Sequence, residues 1–123
     1  METRSGPHPA EELRQGTKQL AIRVINMSRT LPRTKEALVI GDQMIRSATS
    51  VGANYRVVCR ARSKAEVTSK LSIVIEEADE TAFWLDILIE TQIVSQERLQ
   101  SLISETDELL AIFSSARSTI RGN

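Results

Sequence analysis

Apolar and polar positions alternate along most of this chain at spacings of three and four, the repeat of an amphipathic helix. From about Ala10 to Thr30, the positions Leu13, Thr17, Leu20, Val24, Met27 and Leu31 share one face. Pro32 crowds the residue before it and lacks a backbone N–H, so the first helix is predicted to stop there. Thr34 is placed to cap a second helix over 35–61, with the stripe Leu38, Gly41, Ile45, Ala48, Gly52, Tyr55 and Cys59, flanked by Ala37, Met44, Val51 and Val58. Gly41 and Gly52 lie in that stripe, where they suit close helix approach despite the cost of glycine in a helix, up to about 1 kcal/mol each. Ser63-Lys64-Ala65-Glu66 has the capping-box pattern and opens a third helix over 64–91, with Leu71, Ile75, Ala78, Ala82, Leu85 and Ile89 as its stripe. Ser95 caps a fourth helix over 96–119, buried through Leu99, Leu102, Ile103, Leu109, Leu110, Phe113 and Ala116. The predicted fold is all-α, an antiparallel up-down-up-down four-helix bundle. Residues 1–9, with two prolines and a glycine, read as a flexible N-terminal tail, and 10–121 as a single domain.

A monomeric bundle needs one apolar stripe per helix, and two helices carry more. Ile73, Phe83, Trp84 and Ile87 lie off the main stripe of the third helix, and Ile22 and Ile25 lie behind that of the first. Adjacent Phe83 and Trp84 diverge by about 100° around the axis and cannot both centre on one seam. Exposed together, such side chains mark a partner surface, so these six residues are interface candidates and a homo-oligomer is expected.

Composition agrees with helices. Of 123 residues, 41% are hydrophobic, 26% charged and only 3% aromatic, with five Gly and three Pro, a poor supply for strands and hairpins. Cys59 is the only cysteine, which excludes an internal disulfide and suits a reducing compartment. No run approaches the ~18 apolar residues of a membrane span, and the first residues do not resemble a signal peptide. The expected location is cytoplasmic, with no membrane partner.

Formal net charge is zero, but residues 1–70 carry 13 Lys/Arg against 6 Asp/Glu and residues 71–123 carry 3 against 10, leaving +7 and −7. Either a polyanion surface or mutual recognition of basic and acidic helices follows from such a split. No acidic residue falls between Asp42 and Glu66, an interval holding Arg46, Arg56, Arg60, Arg62 and Lys64. Arg56, Arg60, Arg62 and Lys64 are the nucleic-acid candidates. They are also cations near a helix C-terminus, where they complement its dipole. Interleaved aromatics are missing, so base stacking is not expected.

Catalytic chemistry finds no support. Glu76, Glu77, Asp79 and Glu80 share one helix, but a di-iron bundle also needs histidines on its helices, and the one histidine, His8, lies in the tail. The same placement argues against Ser-His or Cys-His nucleophiles, and no glycine-rich loop follows a strand. No catalytic residue, cofactor or metal is expected. In a hairpin turning near residues 61–63, Arg46 comes opposite Ala78 with Glu77 and Glu80 beside it. Arg46, Ser50, Asn54 and Glu80 therefore read as a structural polar network that sets register.

From Gln43 to Leu85 the chain resembles the bacterial four-helix-bundle protein family, also called the intervening-sequence protein family because some members are encoded within insertions in large-subunit rRNA genes. The residues that carry the likeness are Gln43, Arg46, Ala48, Ser50, Ala53 and Asn54, Arg62-Ser63 at the turn, then Glu66, Leu71, Ile73, Glu80 and Leu85. The runs Ser50-Val51-Gly52-Ala53-Asn54-Tyr55-Arg56 and Cys59-Arg60-Ala61-Arg62-Ser63-Lys64 look like one branch of that family. The resemblance implies a closed ring of bundles, a pentamer, and a role in nucleic-acid binding. It extends to the accessory variability protein of diversity-generating retroelements, where a basic ring engages RNA and a reverse transcriptase. The expected function is a non-enzymatic, ring-forming bundle that binds RNA or DNA weakly through its second turn, beside a protein partner in one version; the alternative is a protein-interaction scaffold with no nucleic-acid role.

Overall fold

A computed structural model of the protein describes residues 9–122. Its four helices are α1 (Pro9–Ser28), α2 (Lys35–Cys59), α3 (Lys64–Glu90) and α4 (Gln96–Arg121). Successive helices pack against each other, α1 closes on α4, and the diagonal pairs have no close backbone approach, so the all-α antiparallel four-helix bundle is the observed fold. Among the described residues there is no strand, and no helix is long and apolar enough to cross a membrane.

Local chemistry sets the helix ends. Pro9, expected in the tail, is instead the first residue of α1, where its fixed φ suits a helix and its missing N–H would have no intrahelical partner; the rest of that tail lies outside the described residues. α1 ends at Ser28, two residues early, because Thr30 and Leu31 donate to Met27 and Ser28 carbonyls three residues back and tighten the last turn. α2 likewise stops at Cys59, with Arg60 and Ala61 donating to Val57 and Val58. The hydroxyls of Thr34, Ser63 and Ser95 accept from the amides of Ala37, Glu66 and Arg98, capping α2, α3 and α4. Glu66 Oε1 also accepts from the Arg62 amide at 2.8 Å.

The core runs through Leu20 and Val24 of α1, Met44, Ala48 and Val51 of α2, Val74, Ala78, Leu85 and Leu88 of α3, and Leu99 and Phe113 of α4. Tyr55 packs on Phe113 with ring centroids 5.2 Å apart. In two helices part of the expected stripe is displaced: Ala37, Gly41, Met44, Ala48, Val51 and Tyr55 of α2 and Leu71, Ala78 and Leu85 of α3 are buried as expected, and the departures lie along one edge. On α2, Leu38 is 43% exposed and Cys59 is exposed, while Ile40 and Ser47 face inward. On α3, Val74, Thr81 and Leu88 are buried, whereas Ile75, Ala82 and Ile89 are half-buried. Both helices are apolar over more than half their circumference, so a stripe that leans to either side of the shared positions fits the sequence until neighbours are placed. The inward face of α2–α3 includes a buried hydroxyl pair, Ser47 Oγ and Thr81 Oγ1 at 2.8 Å. Each hydroxyl has one proton and a carbonyl within reach, Met44 O or Glu77 O, so one donates across the pair and the other to its own helix.

The α3–α4 turn has one strained residue. Gln92 sits at φ 61 while Gln92 N donates to Ile89 O and Ile93 N to Leu88 O, the paired bonds of a Schellman motif whose left-handed position is usually glycine. Gly52, by contrast, is mid-helix, and a Cβ there would lie 3.5 Å from Thr17 O, an ordinary contact. Gln92→Gly and Gly52→Ala should therefore each stabilise the bundle, by about 0.5–1 kcal/mol. Urea midpoints of the two variants should rise with unchanged m-values, and a fall in either midpoint would contradict the assigned backbone geometry.

Candidate nucleic-acid interface

The up-down-up-down order brings the α1 N-terminus, the α2 C-terminus, the α2–α3 turn and the α4 C-terminus to one end of the bundle. Near that end α1 and α2 leave a groove of about 460 Å³ between them. Its sides include Thr17, Ala21, Thr49, Gly52 and Ala53, whose short side chains keep the trough open. Four long cations line it: Arg14 and Lys18 from α1, Arg56 and Arg60 from α2. Arg56 and Arg60 are one helical turn apart and reach the same groove because both project toward α1.

Arg62 and Lys64 do not line the trough; they are exposed in the turn and at the start of α3. Neither their side-chain charges nor those of Arg56 and Arg60 form an ion pair among the described residues, while Arg14 has Glu11 at 2.6 Å. Sequence reasoning missed Arg14 and Lys18: they lie far from the α2 cations along the chain, and only the α1–α2 packing joins them. Tyr55, on the inner side of α2, has its phenol pushed up to about 12 by burial first and then by the neighbouring Cys59 side chain.

The four polar-network candidates form two separate groups rather than one. Arg46 bridges α2 to α3, donating to Glu80 and, at 3.2 Å, to Glu77. Glu80 Oε2 also accepts from the Trp84 indole at 3.0 Å. Asn54 donates to Ser50 O and Ser50 Oγ at 2.9 and 3.0 Å, within α2. Asn54 and Ser50 lie two and one turns further along α2 than Arg46, and their bonds are satisfied locally. Among the interface candidates, Phe83 is 52% exposed and Ile22 39%, while Ile25, Ile73, Trp84 and Ile87 are half-buried. Phe83 meets Trp84 edge-on, with centroids 4.9 Å apart.

Residues 11–115 match the family model for the 23S rRNA-intervening sequence protein. The chain belongs to that family. A crystal structure of a protein of unknown function from the S23 ribosomal protein family, from Bacteroides thetaiotaomicron VPI-5482, is similar at a TM-score of 0.82 and 30% identity, over 89% of this chain and 97% of that one. No curated protein matches significantly. The family match thus takes in all of α2 and α3, α1 from its third residue, and α4 up to residue 115.

Arg46 holds the Glu80 carboxyl below the ordinary glutamate value of 4.5, with help from the Trp84 indole. A lowered folded-state pKa means that the unfolded chain binds the proton first, so the stabilisation is complete above 4.5 and is lost as pH falls through the folded value. The melting temperature of Glu80→Gln should lie below that of the native protein at pH 7, and the gap should close with acidification below 4.5. Emission from Trp84, the only tryptophan, should shift over the same range in the native protein and not in the variant.

Proposed function

We propose that the protein is a non-enzymatic, self-associating helical scaffold of the cytoplasm that holds the phosphate backbone of RNA or DNA in its basic trough. The observation that carries this reading is the convergence of Arg14, Lys18, Arg56 and Arg60 on one groove, with Arg62 and Lys64 beside it and no ion pair to the side-chain charge of Arg56, Arg60, Arg62 or Lys64 among the described residues. Arginine and lysine at that density bind phosphates by charge and release counterions, giving affinity that falls with salt. The surroundings supply no aromatic platform: Tyr55 is buried and Phe83 and Trp84 lie on α3 toward the other end. Recognition would then follow backbone shape and charge rather than base identity. Repetition of the trough around a ring of subunits, a pentamer as the family resemblance implies, would raise weak single-site affinity through multivalency. The family's name, which links its members to an insertion in 23S rRNA, is consistent with this setting.

The second reading, a protein-interaction scaffold without a nucleic-acid role, draws on the half-exposed Phe83–Trp84 pair, since aromatic residues dominate protein interfaces. Neither reading assigns a catalytic residue, metal or cofactor.

Fluorescence anisotropy with labelled structured RNA and duplex DNA, at low and near-physiological salt, separates the two. The native protein should bind with a steep salt dependence. Arg56→Gln/Arg60→Gln/Arg62→Gln, with unchanged mass by light scattering, should bind at least tenfold more weakly, and its salt slope should be shallower by ~0.9 for each duplex phosphate that the variant no longer neutralises. Absence of binding by the native protein at low salt would leave the scaffold reading.

A further inference from the structure

The outward faces of α1 and α3 each set an apolar pair between like charges, of opposite sign on the two helices, with Glu76 one turn further from its apolar pair than its counterparts. On α1, Lys18, Ile22, Ile25 and Arg29 follow at spacings of four, three and four and lie opposite the buried stripe Thr17, Leu20, Val24 and Met27. On α3, Glu76, Phe83, Ile87 and Glu90 lie opposite the buried stripe Leu71, Val74, Ala78 and Leu85. Each face therefore has two large apolar residues at its centre and a like charge at either end, cationic on α1 and anionic on α3. Ile22 and Phe83 are 39% and 52% exposed. Lys18, Arg29, Glu76 and Glu90 are exposed, and none makes an ion pair among the described residues.

We infer that the outward face of α1 in one subunit docks on the outward face of α3 in a second copy of this chain. The partner is identified by complementarity: Ile22 and Ile25 cover Phe83 and Ile87, while Lys18 and Arg29 meet Glu76 and Glu90 whichever way the two helices run. A pair of α1 faces or of α3 faces would oppose like charges at both ends. Spacings near 3.5 on each face suit a shallow helix-to-helix crossing with an apolar centre and a charged rim. The α2–α3 clamp pre-orders the receiving face, because Glu80 fixes the Trp84 indole and Trp84 supports the Phe83 ring. α1 and α3 occupy diagonal corners of the bundle with no close backbone approach, so every subunit can offer both faces at once. The contact is head-to-tail, the type that generates a closed ring when the rotation permits. It also uses the opposite charges of the two halves of the chain; Lys18, at the edge of the trough, is shared with this contact, and Arg14, Arg56 and Arg60 remain to the trough.

This inference rests on the self-association proposed above. The test is light scattering after size exclusion on nucleic-acid-free full-length protein: the native chain, Lys18→Glu/Arg29→Glu, Glu76→Lys/Glu90→Lys, and the chain carrying all four changes. Each double reversal should lower the mass to the 13.7 kDa of one subunit, and the fourfold variant should regain the native oligomer. A native protein of subunit mass at every concentration would end the self-association reading itself. An oligomer that survives both reversals unchanged would overturn this surface while leaving self-association in place. Two monomeric reversals without recovery in the fourfold chain would count against direct pairing of the faces.

Discussion

The antiparallel contact between α2 and α3 is the constraint on which the rest of the molecule depends. Its inner layer is made of small residues, Ser47 and Ala48 against Ala78 and Thr81, all with no solvent exposure, so the two backbones approach closely. The Ser47–Thr81 hydroxyl pair needs one alignment of the helices, since a slip by a turn would bury a hydroxyl against alkyl groups. Outside that layer Arg46 spans to Glu77 and Glu80. An ion pair this exposed contributes little energy, because water screens it and two long side chains must be held still, so its effect is on geometry: it orients Glu80, and through Glu80 the Trp84 ring.

Around this pair the other helices are held unequally. α1 lies along α2 and α4 along α3, whereas α1 and α4 meet over a short stretch. That seam is supported by polar bridges at its edges: Arg23 reaches Glu105 and Ser101, and Arg98 donates to Thr30 Oγ1 at 2.9 Å. Where the helices separate, Leu13, Gly16, Leu109 and Ile112 line a shallow groove with Glu12, Glu105 and Glu108 at its rim. The α1–α2 trough differs because its lining is short and its charges are positive. One bundle therefore presents two grooves on either side of α1 with opposite electrostatic character, as the division of charge along the chain requires once basic α1 and α2 are packed against acidic α3 and α4.

Caps, breaks and the three-four repeat determined a great deal from sequence alone. Pro32, Thr34, the Ser63–Glu66 box and Ser95 placed four helices to within two residues at every end, because each signal acts over a single turn. Arg46 opposite Glu77 and Glu80 also followed, from the hairpin's arithmetic. Tertiary structure alone decided to which side the buried stripes of α2 and α3 lean, which sends Leu38 and Cys59 outward and draws Thr81 and Leu88 in; broad apolar surfaces are compatible with more than one such placement until neighbours compete for them. It alone split Ser50–Asn54 from Arg46–Glu80, since a side-chain amide satisfies itself locally whenever a carbonyl lies one turn back. It also joined Arg14 and Lys18 to Arg56 and Arg60, because a groove belongs to two helices at once and no pattern within either one contains it.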